Sequence, residues 1–175
     1  MRIIFTALLL LALLPAQLPH LPRRTRLWPL RKASISSAKN TILRSVDKVP
    51  DNLWNFKPTS AVRTFGQLCA HIADGQYEFC GKASEGKAID KGIEKTAETK
   101  ARVLSALKDA FAYCDAAHAQ MTDASAVELV SFFNRRATRI GAMDYHITHT
   151  MEHHGNLVTY MRLKGIVPPQ SVAYT

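Results

Sequence analysis

Four of the seven histidines fall within nine residues, at His146, His149, His153 and His154, in a segment whose flanks read as helix. Residues four apart on an α-helix are turned by about 40° and separated by about 6 Å along the axis, so His149 and His153 project from one face. That spacing lets two imidazoles reach one metal ion, the physical basis of His-x-x-x-His pairs in zinc sites. A catalytic zinc ion takes three protein ligands and keeps a fourth position open. The other histidines are His20, His71 and His118. His71 lies in the run from Phe65 to Tyr77, an otherwise rather apolar helical segment where a lone histidine needs a reason. It is the best third ligand.

The helix that must carry the pair has Tyr145, His146, His149, Glu152, His153, Asn156 and Tyr160 on one face. Ile140, Met143, Ile147, Met151, Val158 and Met161 fall on the other. An apolar stripe opposite a polar one describes a surface helix. Exposed faces favour Lys, Arg and Glu, however, and Glu152 is the single charged member of this one. The pattern is that of a helix lining a polar cavity.

The remaining elements follow from periodicity and stop signals. Ile35, Ala38, Ile42 and Val46 recur at spacings of three and four, predicting a short first helix from about Ser34 to Lys48, ended by Pro50. Asp51 to Arg63 reads as an ordered crossover loop whose Trp54 and Phe56 cap the core. Thr64 and Gln67 have the spacing of a capping box, opening a second helix from Phe65 to about Cys80 with His71 inward. Residues 81–95, rich in Gly, Lys and Glu, read as a solvated loop or short turn. Val103, Leu104, Leu107, Phe111 and Cys114 set a third helix from about Ala97 to His118, with His118 exposed at its alanine-rich end. Met121 to Phe133 fits a short helix or an extended link equally. The last helix runs from about Arg139 to Lys164, closed by Gly165 and Pro168-Pro169. The expected fold is all-α, a four-helix bundle, an architecture in which ligands from facing helices converge at the core.

Composition bounds the rest. A chain of 175 residues, 47% hydrophobic, suits one soluble domain. The net charge of +9 divides into +8 over residues 1–50 and +1 over residues 51–175. The basicity belongs to an N-terminal arm, which sets nucleic acid aside as a partner. Residues 1–17 have the early charge and twelve-residue apolar run of a signal peptide or N-terminal anchor. Export, periplasmic or secreted, is the expectation; without cleavage the chain stays membrane-anchored or cytoplasmic. Residues 18–33 form a basic, proline-rich linker that argues against smooth export. Residues 34–169 are the bundle and 170–175 a tail. Cys69, Cys80 and Cys114 contain no Cys-x-x-Cys. Cys69 and Cys80, about 16 Å apart on one helix, do not pair, so the cysteines read as buried small hydrophobes.

Three stretches together resemble the DinB family, of the DinB/YfiT-like type: Phe56-Lys57-Pro58-Thr59, the run from Arg63 to Asp74, and the run from His149 to Pro169. The resemblance spans about Ser36 to Pro169. It implies an antiparallel four-helix bundle with a metal triad, carried here by His71, His149 and His153. It also implies a divalent ion, Zn first and Ni second, a thiol as small-molecule partner, thiol-dependent transferase or hydrolase-like chemistry, and a homodimer. Glu152 and Tyr160 are the candidates for moving a proton or orienting a ligand. The His149–Glu152 spacing is not the His-Glu-x-x-His of zinc proteases. His146, about 60° from His149, is a candidate for supporting a ligand; His154, about 100° from His153, is a core or surface residue. The alternative is a stress-related metal-binding or structural module without turnover.

Overall fold

The computed structural model describes residues 27–174. The leader-like segment and most of the linker lie outside them. The chain is mostly helical, in the order α1 (Leu27–Lys48), α2 (Phe65–Glu85), α3 (Ile93–Thr96), α4 (Lys100–Gln120), α5 (Asp123–Ala126), β1 (Leu129–Phe132), β2 (Arg135–Thr138) and α6 (Arg139–Leu163). Four long helices are thus joined by two single-turn helices and a hairpin that the sequence reading did not contain. Among the described residues no helix is long and apolar enough to cross a membrane.

The first helix starts at Leu27, ahead of the expected Ser34, so the end of the proline-rich stretch is helical. Pro29 sits in its first turn, where a missing N–H costs nothing because those amides have no intrahelical acceptor. Ile35, Ala38, Ile42 and Val46 are buried as one face. Lys100 closes the far end by donating from Nζ to the carbonyls of Val49 (2.6 Å) and Asp47 (3.1 Å).

The central helix is α2, packed chiefly on α4 and α6. Its start is the expected capping box: Gln67 N donates to Thr64 Oγ1 (3.1 Å) and Thr64 N to Gln67 Oε1 (2.9 Å). It continues past Cys80 to Glu85, where Gly86 takes a left-handed φ of 76°. Arg139, the first residue of α6, donates from Nη1 to the carbonyls of Ala83 and Ser84, both at 2.7 Å. That contact satisfies acceptors the helix end would leave bare and ties the start of α6 to the end of α2.

The crossover loop caps the main core as expected. Trp54 is buried against Phe65, ring centroids 5.7 Å apart, and Phe56 meets Tyr160 edge-on at 6.0 Å. A smaller cluster gathers Cys80, Ala83, Cys114, Ala117, Ala142 and Met143. There Cys80 and Cys114 form a disulfide between α2 and α4, with Cα atoms 5.4 Å apart. The reading of all three cysteines as plain hydrophobes therefore holds only for buried Cys69. Residues 121–133 resolve into α5 and β1, the latter pairing antiparallel with β2 from Leu129↔Thr138 to Phe132↔Arg135.

Candidate metal centre

α6 presents its histidines inward. Ala142, Met143, His146, His149, Thr150, His154, Leu157, Tyr160 and Met161 are buried, while Met151 of the supposed apolar stripe is 43% exposed. Met143 and Met161 of that stripe are buried, and the face carrying His149, His153 and Tyr160 lines cavities as expected, so Met151 is the departure. The helix trades apolar for histidine contacts along the edge it turns to α2. His118, expected at the surface, is also buried, its ring 5.9 Å from that of His146.

The three predicted ligands meet. His149 Nε2 lies 3.2 Å from His71 Nε2 and 3.1 Å from His153 Nε2. His71 Nδ1 lies 2.9 Å from Glu94 Oε2. A carboxylate accepts only, so the His71 proton sits on Nδ1 and its Nε2 offers a lone pair. One proton on His149 Nε2 satisfies one of its two nitrogen contacts and leaves the other facing like against like. A cation removes that conflict. Tetrahedral zinc with Zn–N bonds of about 2.0–2.1 Å places ligand nitrogens about 3.3 Å apart, close to the separations found.

Glu94 was missed by the sequence reading, which placed it in a solvated loop. It is delivered by α3, whose first amides are held by Asp74 of α2: Ile93 N donates to Oδ1 (2.9 Å) and Glu94 N to Oδ2 (2.8 Å). Arg63 grips the same carboxylate through Nε (2.7 Å). Burial pushes the Glu94 carboxyl up, but the hydrogen bonds and charges of Arg63 and His71 together outweigh it and hold the group below its usual range. The available signal was Asp74 three residues after His71, but its partner is nineteen residues further along.

Gly75 lets α6 approach. A Cβ there would stand 2.6 Å from His149 Cε1. Burial, then the charges of His153, His71 and Arg63, push the His149 imidazole down to about 3, and burial with His71 lowers His153 too. Both are neutral at pH 7, as ligands must be.

His71 and His149 line a cavity of about 740 Å³ with Asp74, Glu78 and Glu94. His153 lines a second, of about 610 Å³, with Arg63, Asn156 and Tyr160. Tyr160 donates its hydroxyl to the Arg63 carbonyl (3.1 Å). Glu152 is exposed and borders neither of these cavities. His146 turns to Gln76 and Cys114 rather than to the triad, and His154 accepts from Gln170 Nε2 (2.7 Å). Beside the site is an aromatic wall: Phe79 of α2 lies 5.0 Å from the His149 ring, and Phe132 and Phe133 of the hairpin meet Tyr145 edge-on at 5.3 and 5.4 Å.

The model of the DinB family matches residues 32–174. Two solved structures are similar in fold. One is a DinB-like protein (YjoA) from Bacillus subtilis, 21% identical, with a TM-score of 0.66, covering 78% of this chain and 92% of that one. The other is a DinB-like protein from Bacillus cereus, 16% identical, with a TM-score of 0.69, covering 79% and 93%. None of the curated proteins matches this chain.

Proposed function

The chain belongs to the DinB family, and on that premise we propose that it is an enzyme in which His71, His149 and His153 hold one divalent ion, zinc before nickel, for chemistry on a small thiol. The frame is the antiparallel four-helix bundle of this family, made by α1, α2, α4 and α6. The observation that carries the reading is the meeting of three Nε2 atoms, with the His71 proton turned outward onto Glu94. A bound ion would supply Lewis acidity and lower the pKa of a thiol or water.

The chain's own residues do the rest. Glu94 fixes the His71 tautomer, and Arg63 fixes Glu94. Neutral His149 and His153 offer lone pairs. His153, Arg63 and Asn156 border a cavity in which a substrate is bound and oriented. Tyr160, its hydroxyl engaged by Arg63, positions that wall; Glu152 is left without a role. Three protein ligands beside open cavities favour catalysis over a closed structural shell. We read the chain as exported, supported by its leader-like start and by the Cys80–Cys114 bridge, since disulfides persist in oxidising compartments. A homodimer is the assembly proposed by family analogy.

Elemental analysis of protein purified without a nickel column tests the centre. About one zinc per chain in the wild type, and none in His71→Ala or His149→Ala, is expected. Thiol-transfer activity should disappear with the metal. Full loading without turnover on any thiol acceptor would favour the non-catalytic, stress-related module instead.

A further inference from the structure

Where α2, α4 and α6 meet lies a buried polar cluster that the three-histidine site does not use. Cys80, Cys114, Gln76 and Thr150 are wholly buried and His146 is 2% exposed. A bridge that only staples two helices is best served by apolar neighbours, because an unsatisfied buried polar group costs about 1–3 kcal/mol. Here Cys114 Sγ stands 3.3 Å from the Gln76 carbonyl oxygen and 3.6 Å from His146 Nε2. A bridged sulfur has no proton to give the Gln76 carbonyl, so that contact is not a hydrogen bond while the bridge is closed. A Cys114 thiol would find an acceptor in the Gln76 carbonyl oxygen. The surroundings suit a thiol.

The cluster is also oriented. Gln76 Nε2 donates to Thr150 Oγ1 (3.0 Å) and to the Ile72 carbonyl (3.3 Å), which turns Oε1 onto His146 Nε2. His146 Nδ1 is buried with no hydrogen-bond partner. The two sulfurs and a His146 ring nitrogen all lie within 4.8 Å of one another. Two thiolates and an imidazole are a donor set for zinc and other soft or borderline ions.

We propose that Cys80, Cys114 and His146 form a second cation site that takes a soft or borderline divalent ion when the disulfide is open and none when it is closed. Opening consumes two electrons and two protons from a thiol reductant, which leaves as its own disulfide. The entering ion then displaces the two thiol protons to solvent. The sulfurs must part to about 3.7 Å, the edge of a tetrahedron with metal–sulfur bonds of about 2.3 Å. The Cα separation of 5.4 Å leaves that within side-chain reach. For a cation to be held by His146 Nε2 the ring proton moves to the unpartnered Nδ1, and Gln76 Oε1, no longer accepting that proton, offers an oxygen for the fourth position.

Cobalt(II) separates this site from the three-histidine centre, because thiolate-to-cobalt charge-transfer absorption arises only from sulfur ligands. The full chain is compared with the bridge closed and after opening by a dithiol that is removed without oxygen. The expected result is a charge-transfer band in the reduced wild type that is absent when bridged. It is lost in Cys114→Ser, kept in His71→Ala, and weakened at least tenfold in affinity in His146→Ala. A reduced wild type that stays helical by circular dichroism and shows no band overturns the proposal without any variant. So does a band that survives Cys80→Ser with Cys114→Ser, which would belong to Cys69. Persistence of the band in a reduced wild type whose three-histidine centre binds no metal would refute that centre and leave this site standing.

Discussion

Glu94 does for His71 what no partner does for the other two proposed ligands, since the Nδ1 atoms of His149 and His153 are buried without a hydrogen bond. Metal affinity should therefore depend on this carboxylate. Glu94→Ala is expected to weaken zinc binding about 10–100-fold while leaving one site per chain, read by competition with a chromogenic chelator. Unchanged affinity would mean that His71 is oriented by packing alone. Protonation acts elsewhere. Burial, then the charges of His118 and His149, pushes His146 from its ordinary 6.5 down to about 3. Between those values the unfolded chain binds a proton that the folded chain refuses. Stability is thus intact above about pH 6.5 and is lost as pH falls toward about 3, by up to about 1.4 kcal/mol per pH unit for this one group. Urea midpoints of metal-free, bridged protein should fall between about pH 7 and about pH 5, and fall less steeply in His146→Gln. Parallel slopes for the two proteins would rule this residue out as the cause.

Between residue and fold stand two devices on α2. Asp74 holds the first amides of α3, and α3 carries Glu94 to the site. Asp74→Ala should cost about 1 kcal/mol, in the manner of a lost helix cap. It should also weaken zinc binding as Glu94→Ala does, although Asp74 touches no ligand. A stability loss with unaltered zinc affinity would show that α3 stays in place by itself. One residue on, Gly75 makes room for His149. In Gly75→Ala the new methyl stands 2.6 Å from Cε1, so zinc binding should drop at least tenfold with helical content preserved by circular dichroism. Retained binding would mean that α6 gives way at little cost. The capping box that opens α2 was legible in Thr64 and Gln67 because both partners lie within one turn. The α3 clasp was not, because Asp74 and Ile93 become neighbours only when the chain folds back.

For the whole molecule, the Cys80–Cys114 bridge closes a separation of 34 residues. Loss of that crosslink should cost about 3–4 kcal/mol through the freedom returned to the unfolded chain. Reduction in metal-free buffer is expected to lower the denaturant midpoint accordingly, and an unmoved midpoint would mean that packing alone sets the stability. The sequence by itself determined what a few neighbouring residues decide. Four-residue spacing put His149 and His153 on one face, a local motif started α2, and Gly165 with two prolines ended α6. It also singled out His71 as an inward histidine on another helix. What only the tertiary structure decided was which distant groups meet: Glu94 at His71, Cys80 at Cys114, His118 beside His146, and the hairpin aromatics against Phe79 and Tyr145. The same holds for Met151 of α6, which falls in the apolar stripe and is 43% exposed. Hydropathy sends methionine inward and histidine outward. Burial instead follows the partners that the packed helices supply, and here those partners are other polar groups.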